Sequence, residues 1–181
     1  MIQSLAGARL AAIFTWAVFL SLAVPAEAAP VPKSRSEMAP VYLSYKKEME
    51  CLARAIYFEA RGESVEGQRA VARVILNRVE SKYYPNSICG VVYQNDHLRN
   101  ACQFSFACDG KPDRITDEKA YRKAEKIARQ VYGCGQSWCK LSDPVGRSTH
   151  YHADYVKPGW ANRLERTGRV GSHIFYYTAT M

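Results

Sequence analysis

No cysteine precedes position 51, and no two cysteines stand as a Cys-x-x-Cys pair anywhere in the chain. The first absence removes the thiol that a lipid-anchored mature N-terminus needs. The second weakens a structural zinc site, whose ligands commonly come in such pairs. Apolar sequence long enough to span a bilayer is also missing: the run Leu10 to Val24 has about 15 residues, against the roughly 20 that a transmembrane helix needs. There is no internal repeat, no second linker and no nucleic-acid-binding motif, so the formal net charge of +8 does not by itself point to nucleic acid.

What the apolar run does fit is a targeting signal. Arg9 gives a lightly basic start, Leu10 to Val24 form the apolar region, and Pro25-Ala-Glu-Ala28 supplies small residues for cleavage. Residues 1–28 are therefore expected to be a signal peptide, with an uncleaved anchor as the alternative. Residues 29–43, rich in Pro, Ala, Ser and charge, are expected to be a flexible tether. Residues 44–181 suit one domain with one core. The signal segment carries one Arg and one Glu, so its removal leaves the charge unchanged. A basic exported protein is drawn to anionic surfaces such as wall polymers. Here the basic residues are scattered among acidic ones on helical faces, so this support is weak.

All six cysteines follow the signal, and their number is even. In an exported chain this favours disulfides over reactive thiols. Six cysteines allow 15 pairings, and the sequence does not choose among them. Spacing suits small loops closed by Cys102/Cys108 and Cys134/Cys139, which leaves Cys51/Cys89.

Met49, Leu52, Ala53, Ile56 and Tyr57 recur at three- and four-residue spacing and predict a helix over 44–60, stopped by Gly62. Ser64 is a candidate N-cap for a second helix to about Glu80, with Ala70, Val71, Val74, Ile75 and Val79 on its buried face. Ile88 to Tyr93 reads as one or two helical turns. Gln103 to Ala107 reads as a short strand before the turn Asp109-Gly110. Thr116 is the expected N-cap of a helix whose stripe is Ala120, Ala124, Ile127, Ala128 and Val131, closed by Gly133. Thr149 to Tyr155 and His173 to Thr178, aromatic and β-branched, read as strands. Helices followed by short strands predict an α+β domain with a small antiparallel sheet.

The segment Cys51 to Glu63 ends an apolar, aromatic helix in a carboxylate, Glu59. Burial there disfavours the charged form and keeps a proton available near neutral pH, as general-acid catalysis requires. The plainer reading is an ion pair with Arg54 or Arg61. Further along, six blocks stand in order: Glu59-Ala-Arg-Gly-Glu63 with Glu66-Gly-Gln68-Arg-Ala-Val-Ala, Val74-Ile-Leu-Asn77-Arg-Val, Cys102-Gln-Phe-Ser105 with Cys108-Asp-Gly, Thr149-His-Tyr-His152, Pro158-x-Trp160, and Gly171-x-His-Ile-Phe-Tyr176. Together, over about Glu50 to Tyr177, they resemble the SleB/CwlJ-type cell-wall hydrolases. The resemblance implies a lysozyme-like, peptidoglycan-cleaving catalytic domain of helices with a small sheet. It also implies that Glu59 is the general acid of a lytic transglycosylase acting between N-acetylmuramic acid and N-acetylglucosamine. The expected partner is peptidoglycan, with no cofactor, no metal, no nucleic acid and no stable membrane insertion. The expected setting is export as a monomer, to the periplasm or to the exterior or wall.

Around Glu59, the candidate substrate-binding residues are Tyr57, Glu63, Gln103, Phe104, Ser105, His150 and His152. Each has a plainer alternative. Tyr57 and Phe104 suit the core, Glu63 suits an ion pair with Arg61 or the start of the second helix, and Asn77 and Gln68 suit buried hydrogen bonds. His150 and His152 alternate in a strand and so share a face. With His173 or Glu59 they could form a zinc site, which would instead support a metal-dependent amidase. A non-catalytic wall-binding module is the remaining alternative. Trp138 and Trp160 are candidates for stacking on saccharide, and Trp160 equally for anchoring a loop.

Overall fold

A single apolar stripe organises the helices. In the computed structural model, which describes residues 35–98, 102–134, 143 and 145–178, helix α1 (Arg35–Ala60) buries Met49, Leu52, Ala53, Ile56 and Tyr57 on one side. It packs against α2 (Val65–Val79), the short α3 (Ile88–Val92) and α4 (Glu118–Gly133). α1 begins at Arg35, inside the stretch expected to be a tether. Its stripe continues upward through Met38, Val41, Tyr42 and Tyr45, all exposed, so burial does not drive this extension. A helix propagates cheaply from a buried nucleus, and Pro40, in the second turn, costs only part of the ladder.

The second helix starts as its sequence predicts: Ser64 Oγ accepts from Gly67 N–H at 3.2 Å. Ala70, Val71, Val74 and Ile75 are buried, and Val79 is half-buried. α4 departs in detail. Its N-cap is Asp117, whose Oδ1 accepts from Ala120 N–H at 2.9 Å, not Thr116. The backbone N–H groups of Thr116 and Asp117 donate instead to the Tyr57 hydroxyl, at 3.2 and 3.1 Å. The segment expected as a strand over 103–107 is a 3-10 turn, Ser105–Ala107. It lies within the short loop closed by the Cys102–Cys108 disulfide, whose ends are six residues apart in sequence.

The sheet has three antiparallel strands, β1 (His150–Ala153), β2 (Glu165–Val170) and β3 (His173–Tyr177), in the order β1-β3-β2. β2, with the sequence Glu-Arg-Thr-Gly-Arg-Val, carries little apolar signal and escaped the sequence reading. Tyr151 opposes Phe175 and Ala153 opposes His173, so these face the helices. His150 opposes Tyr176 and His152 opposes Ile174 on the other face. Phe175 joins Ala70, Val74 and Val145 in a small second core between α2 and the sheet.

Disulfides join Cys51 to Cys89, tying α3 to α1, and Cys102 to Cys108. Cys134 is also disulfide-bonded; Cys139, its expected partner, lies outside the described residues, as do Trp138 and the signal segment. Among the described residues no helix is long and apolar enough to cross a membrane.

Candidate active site

Glu59 occupies the last turn of α1, one residue before its end, so its side chain leaves the helical core where α1 meets the 3-10 turn and β1. It lines a cleft of about 960 Å³ with Phe58, Arg78, Gln103, Ser105, Asp109, Tyr151 and the histidines 150, 152 and 173. Burial holds its carboxyl above the ordinary glutamate range. The rise is opposed by hydrogen bonds from Ser105 N–H and the Tyr151 hydroxyl and by the charge of Arg78. The ion-pair alternative does not form. Arg54 pairs with Asp113 at 3.2 Å and with Tyr93 OH at 3.1 Å, and Arg61 lies over the Tyr57 ring at 5.0 Å.

Two residues on which Glu59 depends were not singled out in the sequence. Tyr151 stands between the two histidines, and the same period-two alternation that pairs them sends it to the helix side of β1. There it packs edge-on against His173 and beside Phe175, and burial keeps its hydroxyl protonated and able to donate to Glu59. Arg78, on α2, is 4% exposed. Its guanidinium lies over the rings of Tyr84 and Phe104 at 5.3 and 5.5 Å, and its Nε donates to Thr149 O at 2.7 Å. Burial lowers its pKa, yet a guanidinium remains charged at any physiological pH. Its Nη1 has no hydrogen-bond partner among the described residues.

The other expected site residues divide. Gln103, Ser105, His150 and His152 line the cleft. Tyr57, Phe104 and Glu63 are not among the residues that line it. Tyr57 is 1% exposed because its hydroxyl holds the start of α4, and Phe104 is equally buried as the floor beneath Arg78. Glu63 turns toward the β2–β3 connection: its carboxylate accepts from the Ser172 hydroxyl and from Ser172 N–H at 3.4 Å, and lies 3.8 Å from His173 Nδ1. It does not pair with Arg61, but its side chain lies against Gly67 in the first turn of α2, as the second alternative has it. Gln68 and Asn77 do make the buried bonds expected of them. Gln68 Nε2 donates to Glu63 O at 3.0 Å, and Asn77 Nδ2 to Gly146 O and Ser148 O at 2.7 and 2.8 Å.

His152 Nε2 bonds Tyr176 OH at 2.9 Å and its Nδ1 bonds Ala153 O at 2.8 Å, so both nitrogens are engaged. Burial, with the charge of Arg78, brings the His150 pKa down to about 4, and burial also lowers that of His173. Among the described residues no three His, Cys, Asp or Glu side chains converge as a metal-binding group.

A half-buried acid whose pKa is raised by burial, at the base of a polar, aromatic-walled cleft between a helical core and a small antiparallel sheet, marks the site of a disulfide-bonded α+β domain. The sequence profile of the Cell Wall Hydrolase family matches residues 62–176, and the chain belongs to that family. It is 34% identical over 129 residues to a spore cortex-lytic enzyme of Halalkalibacterium halodurans, covering 71% of this chain and 34% of that protein. It is 33% identical over 130 residues to the spore cortex-lytic enzyme of Bacillus subtilis, covering 71% and 37%. The chain thus spans about a third of the length of these curated relatives. Two solved structures are similar. The catalytic domain of the Bacillus cereus SleB protein has a TM-score of 0.55 and 30% identity, covering 73% of this chain and 91% of that one. The catalytic domain of the germination-specific lytic transglycosylase SleB from Bacillus anthracis has a TM-score of 0.56 and 31% identity, covering 73% and 95%.

Proposed function

We propose that this chain is an exported enzyme that degrades peptidoglycan. It cleaves the glycan strand between N-acetylmuramic acid and N-acetylglucosamine as a lytic transglycosylase, with Glu59 as its one acid and base. The observation that carries this reading is the half-buried Glu59 carboxyl in the cleft, its pKa raised by desolvation while the bonds from Ser105 and Tyr151 and the charge of Arg78 favour its anion. The names of the similar proteins, a lytic transglycosylase and spore cortex-lytic enzymes, support it. The disulfides and the apolar N-terminal run support export, with the periplasm favoured.

In the reaction, the Glu59 proton passes to the glycosidic oxygen as that bond breaks and the muramic C1 takes on oxocarbenium character. Ser105 N–H, Tyr151 OH and the Arg78 charge then stabilise the carboxylate left behind. The 2-acetamido group of the sugar supports C1. Glu59 next accepts the proton of the sugar's own 6-hydroxyl, whose oxygen bonds to C1 and closes a 1,6-anhydro ring. No water is consumed, and no second protein carboxylate is needed.

A hydrolytic muramidase is the second reading, because Asp109 is the other carboxylate among the described residues that line the cleft. Glycosidases that use water need such a partner as base or nucleophile. Asp109 is exposed, and its Oδ1 accepts from Lys111 N–H at 2.8 Å. Mass spectrometry of digested peptidoglycan decides among the possibilities. Anhydro-muropeptides are the expected product. Reducing muramic ends would move the assignment to a muramidase, free stem peptides to an amidase, and wall binding without soluble product to a binding module.

A further inference from the structure

Trp160 stands in the wall of the cleft, and the chemistry above leaves it unused. It lies beside the outer face of the sheet, its ring centroid 5.5 Å from that of His150, 5.6 Å from His152 and 5.5 Å from Tyr176. Two of these contacts are edge-on, at interplanar angles of 72° and 86°. Edge contacts of this kind fix the orientation of an indole without covering its whole face. Behind it, His152 is stacked on Tyr176 and bonded to the Tyr176 hydroxyl, which makes the pair a rigid support.

His150 is the neighbour with capacity to spare. Its Nδ1 bonds Thr149 Oγ1 at 3.0 Å, while its Nε2 has no hydrogen-bond partner among the described residues. Because burial and the Arg78 charge hold the ring neutral, Nε2 offers one uncharged hydrogen bond and no ionic contact. A flat aromatic face beside one neutral hydrogen-bonding atom suits a ligand with an apolar face and polar edges. A pyranose ring has that anatomy, its axial C–H groups on one side and its hydroxyl and amide groups around the rim.

We propose that Trp160 and His150 form a saccharide subsite for one uncharged N-acetylhexosamine ring, the indole against its C–H face and His150 Nε2 on a hydroxyl or the acetamido group. The subsite deepens, and rests on, the reading that the cleft takes a glycan strand. His152 and Tyr176 position the indole and do not touch the sugar.

The test uses the full chain carrying Glu59→Gln, which binds without turning over, and a purified tetrasaccharide of alternating N-acetylglucosamine and N-acetylmuramic acid as probe. Calorimetric titration should show binding that Trp160→Leu weakens about tenfold, in line with loss of a buried tryptophan anchor, while Trp160→Phe retains most of it. His150→Ala should weaken it less. Saturation-transfer NMR on the Glu59→Gln chain gives a readout independent of how well the Trp160 variants fold: irradiating indole protons should transfer to the pyranose ring protons. Binding that survives Trp160→Leu, or no transfer from the indole, overturns the subsite but leaves the glycan cleft standing. If Glu59→Gln itself binds no tetrasaccharide, both the subsite and the function above are overturned.

Discussion

The connection between β2 and β3 is built around a carboxylate, and replacing Gly171 by alanine tests this. Gly171 has φ of +57°, and a Cβ placed there would lie 2.0 Å from Glu63 Oε2. The contact is with the far end of a flexible side chain, so the steric clash alone is cheap: Glu63 can swing away. Swinging away, however, breaks its bonds to Ser172 Oγ and N–H. Hydrogen bonds to a charged group contribute about 1.5–3 kcal/mol, and about 2 is reasonable for a half-buried carboxylate. The left-handed backbone adds about 1 kcal/mol for alanine over glycine. Gly171→Ala should therefore cost about 3 kcal/mol in the wild-type background. With Glu63→Ala already present, the bonds are gone and the clash is removed, so the same substitution should cost only about 1 kcal/mol. The coupling of about 2 kcal/mol is read from urea unfolding midpoints of the four chains in a double-mutant cycle. Equal costs of Gly171→Ala in the two backgrounds would refute the argument that glycine is required there by Glu63.

Three further outcomes follow from the site and its supports. Glu59→Gln should lower turnover of peptidoglycan by at least about 100-fold, measured by release of soluble muropeptides. The same variant should melt higher than wild type at neutral pH. The folded-state pKa of Glu59 lies above its unfolded value, so its favourable contribution is present below the unfolded pKa and is lost as pH rises through the folded one; glutamine escapes that loss, and its advantage should fade toward about pH 4. Tyr151→Phe removes a bond that favours the Glu59 anion, so the high-pH limb of the kcat/KM profile should move upward while the maximum falls; a limb that moves down, or stays, contradicts the hydrogen bond. Replacing both Cys51 and Cys89 by alanine opens a link spanning 38 residues, worth about 4 kcal/mol by loop entropy, and should lower Tm by about 10 °C in calorimetry.

Much of this molecule was legible in the amino-acid order because it rests on local rules. Helical periodicity located α1, α2 and α4, a serine three residues before a free N–H located the start of α2, and the even count of cysteines pointed to disulfides. Ordered motif blocks pointed to the family and singled out Glu59. Strand alternation placed His150 and His152 on a common face. These signals act within a few residues, where spacing alone determines which side chains are neighbours.

What no local rule could provide was the partner of each polar group, since partners meet only after folding. The Tyr57 hydroxyl meets the N-terminus of α4 across 59 residues of chain, and Glu63 meets Ser172 across 109. Neither contact has a sequence period, and each engages a residue that the sequence offered as a candidate for substrate. β2 has almost no apolar pattern of its own and exists because β3 offers it an edge. The environment of Glu59 belongs here too: Ser105 comes from a cysteine-closed loop, Tyr151 from a strand and Arg78 from another helix. The carboxyl itself stands in the sequence for anyone to read. Its elevated pKa is a property of the desolvated volume that these distant segments enclose.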